Sequence, residues 1–223
     1  MRLLNRKYNL EFELHENHVL EIICENKVAF RTLVYDLAVE TSGGEGEWIL
    51  SDNENEYNLA KVADLIINPF AVSCNDRKIL SAIYKELHII SDQVYPEQYA
   101  EANAKMLNYL DSILVDVPYA LEYEPIADVE GIFKLYDVKF EDEYSSILDK
   151  LVTYIRTVSQ VLRKNVFFFV NLKSYLDDEE IEMLYREVSY SKSSLIMIES
   201  SDSSKLEAEK KVLIDSDLCI IEA

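Results

Sequence analysis

Glycine is scarce in this chain: there are four in 223 residues, and three of them fall in the stretch Ser42-Gly43-Gly44-Glu45-Gly46. A sequence so poor in the residue that opens left-handed turns must be regular nearly everywhere else, with a pronounced loop at 42–46. Cysteine is as sparse. Cys24, Cys74 and Cys219 are an odd, scattered set with neither the paired spacing of a zinc site nor the density of a disulfide framework, and they read as reduced, buried thiols. No stretch reaches the roughly 18 apolar residues of a membrane span. The opening MRLLNRKYNLEFEL alternates like a strand and lacks the apolar region of a signal peptide, so the expected location is the cytoplasm, with no membrane partner. Positive charge is short too: 22 Lys and Arg face 42 Asp and Glu, for a net charge of -20. On average such a chain repels phosphate, and binding a polyanion would need segregated charge.

Catalytic signatures are missing as well. There is no Gly-x-Ser-x-Gly, no Cys and His pair with a supporting motif and no dehydrogenase glycine pattern. A phosphate-binding loop requires bare backbone amides between two glycines. The best register, Glu25-Asn26-Lys27-Val28-Ala29-Phe30-Arg31-Thr32, replaces both glycines and keeps only Arg31 and Thr32 of that chemistry. The companion strand Val166–Val170 ends in Asn171, where an acid would help hold magnesium. No ATP hydrolysis is expected. Whether this is a degraded nucleotide site or was never one stays open on these residues alone.

What is present falls into three stretches. The N-terminal part reads as strands around one helix: Leu10 to Leu14, His18 to Cys24, an amphipathic run Val28 to Val39, and Trp48 to Ser51. From about Asn58 to Asn165 long helices take over, with Ile79, Leu80, Ile83, Leu87 and Ile90 on one face and Tyr99, Asn103, Met106, Leu110 and Ile113 on another. A third helix spans roughly Asp142 to Lys164. The C-terminal part returns to alternation, with buried strands at Val166 to Asn171, Leu195 to Glu199 and Leu218 to Glu222 around a helix at Asp177 to Tyr190. The expected architecture is an α/β core of residues 1–58 and 165–223 with an α-helical domain, 59–164, inserted into it.

Between the second and third long helices lies an acidic cluster. Asp116, Glu122, Glu124, Asp128, Glu130, Asp137, Glu141, Asp142 and Glu143 are answered there by Lys134 and Lys139. Carboxylates this dense must be held apart in water or neutralised by a hard cation such as calcium. Glu122 and Glu124 flank Tyr123 just before Pro125, so an extended backbone points both the same way. They are the first candidate ligands, followed by Asp116, Asp128 and Glu141. A solvated acidic loop is the competing reading, since Asp128 can cap a helix and Glu141 can begin one. His15-Glu16-Asn17-His18 reads as surface histidines, because alternation sends the two imidazoles to opposite faces, and His88 stands alone on a helix. Candidate phosphate-binding cations are Lys134, Lys139, Lys150, Arg156, Arg163, Lys164 and Lys173. Helix-end capping is an alternative role for Arg156, Arg163 and Lys164.

Segment order and three short pieces resemble the Csn-two family of CRISPR-associated adaptation proteins: Leu121-Glu122-Tyr123-Glu124, Val138-Lys139-Phe140-Glu141, and Phe168-Phe169-Val170-Asn171-Leu172 with its following Leu176-x-x-x-Glu180. The resemblance implies a degenerate P-loop-like α/β domain carrying an inserted α-helical domain, assembled as a homotetrameric ring whose basic inner surface encircles double-stranded DNA. It further implies calcium held at acidic residues, here Glu122 and Glu124. It also implies binding of DNA ends without sequence preference during spacer acquisition, and work beside the adaptation integrase and the RNA-guided nuclease. A closed hole would reconcile DNA binding with the acidic total, because cations from four subunits would focus positive potential inside it. The protein is expected not to be an enzyme. Two alternatives remain: a metal-dependent nuclease using the acidic cluster, and an acidic scaffold that binds only proteins.

Overall fold

The structure is a computed structural model that describes residues 1–14, 19–52, 55–202 and 206–222; the histidine pair of 15–18 lies outside them. Arg2–Asn5 (β1) and Leu10–Glu13 (β2) form an antiparallel hairpin. Val19–Cys24 (β3) feeds helix α1, Lys27–Thr41, and is followed by Trp48–Asp52 (β4) and Asn55–Tyr57 (β5). Next come a short helix, Leu59–Val62 (α2), and the strand Ala63–Ile66 (β6). Helices Arg77–Val94 (α3), Pro96–Leu114 (α4), Val129–Leu135 (α5) and Ile147–Val161 (α6) lead to Val166–Val170 (β7) and Asp178–Tyr190 (α7). Ser194–Glu199 (β8), Glu209–Ile214 (β9) and Ile220–Glu222 (β10) complete the described order.

The strands make two sheets: an antiparallel one in the order β2-β1-β4-β5, and a second in the order β10-β9-β3-β8-β7-β6. In the second, the pairs from β9 through β6 are parallel, and β10 adds an antiparallel edge. The protein is thus of the α/β class that the strand and helix alternation indicates. Parallel strands covered on both faces need apolar residues at consecutive positions. Phe167, Phe168 and Phe169 satisfy this, each at most 1% exposed, and Phe168 lies 6.4 Å from the Trp48 ring. Leu33 and Leu37 of α1 pack into this core. Helix α7 starts with a reciprocal cap, in which the Asp177 side chain accepts from the Glu180 N–H and Glu180 accepts from the Asp177 N–H.

The chain divides into two compact units, Met1–Cys74 with Glu143–Ala223, and Asn75–Asp142. Set beside the 59–164 insertion expected above, the second unit is shorter. β6 is hydrogen-bonded to β7, and α6 packs against α7, so both stay with the sheets. Two further differences concern the C-terminus. The strand expected as buried at Leu218 to Glu222 is the sheet's edge, and Leu218, Ile220 and Ile221 are all about half exposed. Cys219 on this margin is exposed, whereas Cys24 and Cys74 are buried thiols as expected. Among the described residues, no helix is long and apolar enough to cross a membrane.

Candidate functional site

The β3–α1 junction shows why this chain does not present a phosphate cradle. Asn26 caps α1: its Oδ1 accepts the N–H groups of Val28 at 3.0 Å and Ala29 at 3.1 Å. Its Nδ2 donates to the Ser216 carbonyl at 2.9 Å. Two of the amides that an anion would use are therefore occupied by the protein's own side chain. Thr32, the remnant hydroxyl of the motif, donates to the Val28 carbonyl within the helix. Asn171, at the end of β7, takes a left-handed backbone with φ 53° and accepts the Ser200 N–H at 2.9 Å. Its role in the structure is to shape a turn.

Behind this edge lies a buried ionic network. Lys173 Nζ sits 3.1 Å from Glu21 Oε1 on β3 and 2.7 Å from Glu209 Oε1 on β9, and both glutamates are fully buried. Lys211 stands 4.0 Å from Glu21 Oε2 and also pairs with Asp202, while the Tyr185 hydroxyl donates to Glu209. Burial pulls the Lys173 ammonium down, but its bonds to Glu209 and Glu21 outweigh this and its pKa rises. Burial followed by repulsion from Glu209 lifts Glu21, against the pull of Lys173. Glu199, which accepts the Lys173 backbone N–H, is pushed up to about 7, chiefly by burial.

This network corrects one expectation. Lys173 is 7% exposed and serves as the internal counter-ion of two glutamates, so it is not placed to reach a phosphate. The other cations of the first unit are graded. Lys164 is 12% exposed and bonds Asp64 at 3.1 Å, and Arg156 pairs with Glu187. The Lys150 ammonium donates to the Phe70 carbonyl at 2.8 Å. Arg163 is exposed just past the end of α6, in a left-handed backbone with φ 58°. In the second unit, Lys139 pairs with Asp137, and Lys134 lies 3.8 Å from Glu130.

The acidic segment is strapped along α4 by residues that read in the sequence as part of a packing face. The Tyr99 hydroxyl donates to the Ala127 carbonyl. Asn103 makes two bonds, donating to the Pro125 carbonyl at 2.9 Å and accepting the Ala127 N–H at 3.2 Å. Tyr123 donates to Asp111 at 2.6 Å. Glu122 and Glu124 lie exposed in this irregular stretch, Asp116 is exposed just past α4, and Glu141 is exposed after Phe140. Asp128 is committed as the cap of α5, accepting from Glu130 and Gly131. His88 stands between Asp92 at 3.4 Å, four residues on along α3, and Glu130 of α5 at 3.8 Å, the contact that spacing along α3 alone could not reveal.

These placements bear on calcium, which favours about six to eight oxygen ligands. Among the described residues, no group of three or more His, Cys, Asp or Glu is gathered to hold a metal ion. Asp116, Glu122, Glu124, Asp128 and Glu141 are thus not gathered into such a group as placed.

Comparison with known proteins adds the following. An ABC transporter of metal-chelate type in an inward-facing conformation is 10% identical with a TM-score of 0.44, covering 100% of this chain and 80% of that one. An ABC transporter ATP-binding protein from Pyrococcus furiosus is 12% identical with a TM-score of 0.40, covering 95% of this chain and 97% of that one. No curated protein matches the sequence. A family model described as CRISPR-associated protein (Cas_Csn2) matches residues 40–218. With that match spanning most of its length, the chain belongs to the Csn2 family of CRISPR-associated proteins, which carries a role in CRISPR adaptation.

Proposed function

We propose that the protein binds ends of double-stranded DNA without sequence preference, as a homotetrameric ring, during spacer acquisition. Membership of the family over residues 40–218 is the observation that carries this reading. Two features of the chain agree with it. In the second unit, Ile89, Val94, Met106, Tyr109 and Ile113 all stand exposed, a density of apolar surface that self-association would cover. The exposed cations Arg163, Lys134 and Lys139 would then supply the phosphate contacts, with Lys150 and Arg156 as further candidates. Adaptation integrase and RNA-guided nuclease are the proposed partners.

Calcium dependence is proposed at Glu122 and Glu124, whose exposed carboxylates need further oxygen donors from a rearranged segment to complete a shell. The test is solution mass by light scattering, with calcium and then with chelator, each followed by a gel shift on short linear duplex. A tetramer that shifts linear duplex but not closed circular DNA supports the reading, and calcium dependence of that shift supports the metal. A monomer that ignores DNA at low salt in the presence of calcium overturns it in favour of a protein-binding scaffold. Cleavage of linear DNA with magnesium or manganese would move the assignment to a nuclease.

A further inference from the structure

At the C-terminal end of α1, the loop 42–46 borders a polar cavity of about 470 Å³ lined by Arg6, Glu40, Glu45, Trp48, Glu56 and Tyr57 among others. Glu40 is 7% exposed. Its Oε1 accepts the Trp48 backbone N–H at 2.9 Å, while Oε2 is buried and has no hydrogen-bond partner among the described residues. One helical turn earlier, Asp36 Oδ2 is buried and unpartnered in the same way. The loop passes close over Glu40, since a Cβ on Gly46 would fall 2.7 Å from its Oε1 and Cδ. An unpartnered buried carboxylate oxygen is unfavourable, and two like charges at i,i+4 on a helix repel.

We propose that this cavity binds a cationic N–H donor, an alkyl ammonium or guanidinium group, with the Glu40 carboxylate as its acceptor; a bond to the covered Oε2 requires the 42–46 loop to shift. Glu45 and Glu56 are exposed and set a negative potential at the mouth. Trp48 and Tyr57 contribute aromatic surface of the kind that attracts organic cations. A divalent metal is disfavoured, because no group of three His, Cys, Asp or Glu gathers among the described residues. Arg6 is the internal competitor and, among the described residues, the one cation in the lining. Burial, with repulsion from Asp36 and Glu47 and against the Trp48 bond and Arg6, lifts the Glu40 carboxyl to about 7. Binding therefore tightens as pH rises through that value.

The experiment is calorimetric titration of the full chain with agmatine at pH 8. Saturable binding is expected. It should weaken by about tenfold or more in Glu40→Gln, which keeps an acceptor for Trp48 but removes the charge, as for loss of a bond to a charged group. Glu56→Gln, at the rim, should lose less and mainly at low salt, and Arg6→Ala should bind more tightly. A peptide with one central arginine separates the sources: equal binding assigns the cavity to a partner's side chain, and failure of the peptide alone assigns it to a free amine. Equal agmatine affinity in wild type and Glu40→Gln, no binding at millimolar agmatine, or displacement of agmatine by magnesium overturns the proposal.

Discussion

Lys173→Met separates a buried counter-ion from a DNA contact. In the folded protein the Lys173 ammonium lies 3.1 Å from Glu21 and 2.7 Å from Glu209, and neither glutamate is exposed to water. Methionine keeps most of the volume and removes the charge, leaving Lys211, 4.0 Å from Glu21, as the nearest remaining cation. Removing one partner of a buried ion pair typically destabilises by about 3–5 kcal/mol, because the stranded charge must be desolvated unpaired or protonated. For a chain of this size that is a fall of roughly 6–20 °C in unfolding midpoint. Urea unfolding followed by circular dichroism measures it. The double variant Lys173→Met with Glu209→Gln should lose less than the sum of the two single variants, since one of the two stranded carboxylates is gone. A loss below about 1 kcal/mol, or loss of DNA binding at unchanged stability, would refute the reasoning and return Lys173 to the phosphate-binding set.

Three further outcomes are expected. Glu199 and Glu40 both have folded pKa values near 7, above the ordinary 4.5, so the folded state holds more protons between those values and stability falls as pH rises from about 4.5 to 7. Glu199→Gln should flatten that slope by up to about 1.4 kcal/mol per pH unit; an unchanged slope in urea titrations at pH 5, 6 and 7 would sink the assignment. Asn103→Ala removes both bonds to the acidic segment and should cost about 1–2 kcal/mol locally, seen as faster proteolysis around 119–127 with the first unit's hydrogen exchange unchanged; protection of 119–127 at wild-type level would argue against the strap. Asn26→Ala should destabilise by about 2 kcal/mol, roughly one for the α1 cap and one for the bond to Ser216. Asn26→Gly should recover much of the cap's share, and identical losses would count against capping.

Local signals carried much of the fold. The apolar run at Phe167, Phe168 and Phe169 announces a strand covered on both faces, and Asp177 with Glu180 three residues later marks where α7 begins. What stayed hidden depends on partners distant in sequence. β9 carries Glu209 and Lys211 among its apolar residues and does not read as a core strand, because the charges that answer them, Lys173 and Glu21, come from other elements. Lys173 looked like a free cation for the same reason. β6, four residues amid helices, has no length to show a period and is defined by its pairing with β7. In the acidic segment the charge density was plain, whereas the attachment through Tyr99 and Asn103 was masked by their helical spacing beside Met106 and Leu110, which made them read as packing residues. The Asn26 cap obeys a local rule, an Asn immediately before the first helical residue.

That cap also changes what the folded state depends on. Where a helix start is completed by a bound phosphate, ligand concentration enters the folding equilibrium through mass action, and an empty site means a less stable protein. Here Asn26 and the Ser216 carbonyl complete the start of α1 from within the chain. The amides of Val28 and Ala29 are therefore satisfied without a bound phosphate, and this part of the helix start does not draw on ligand supply.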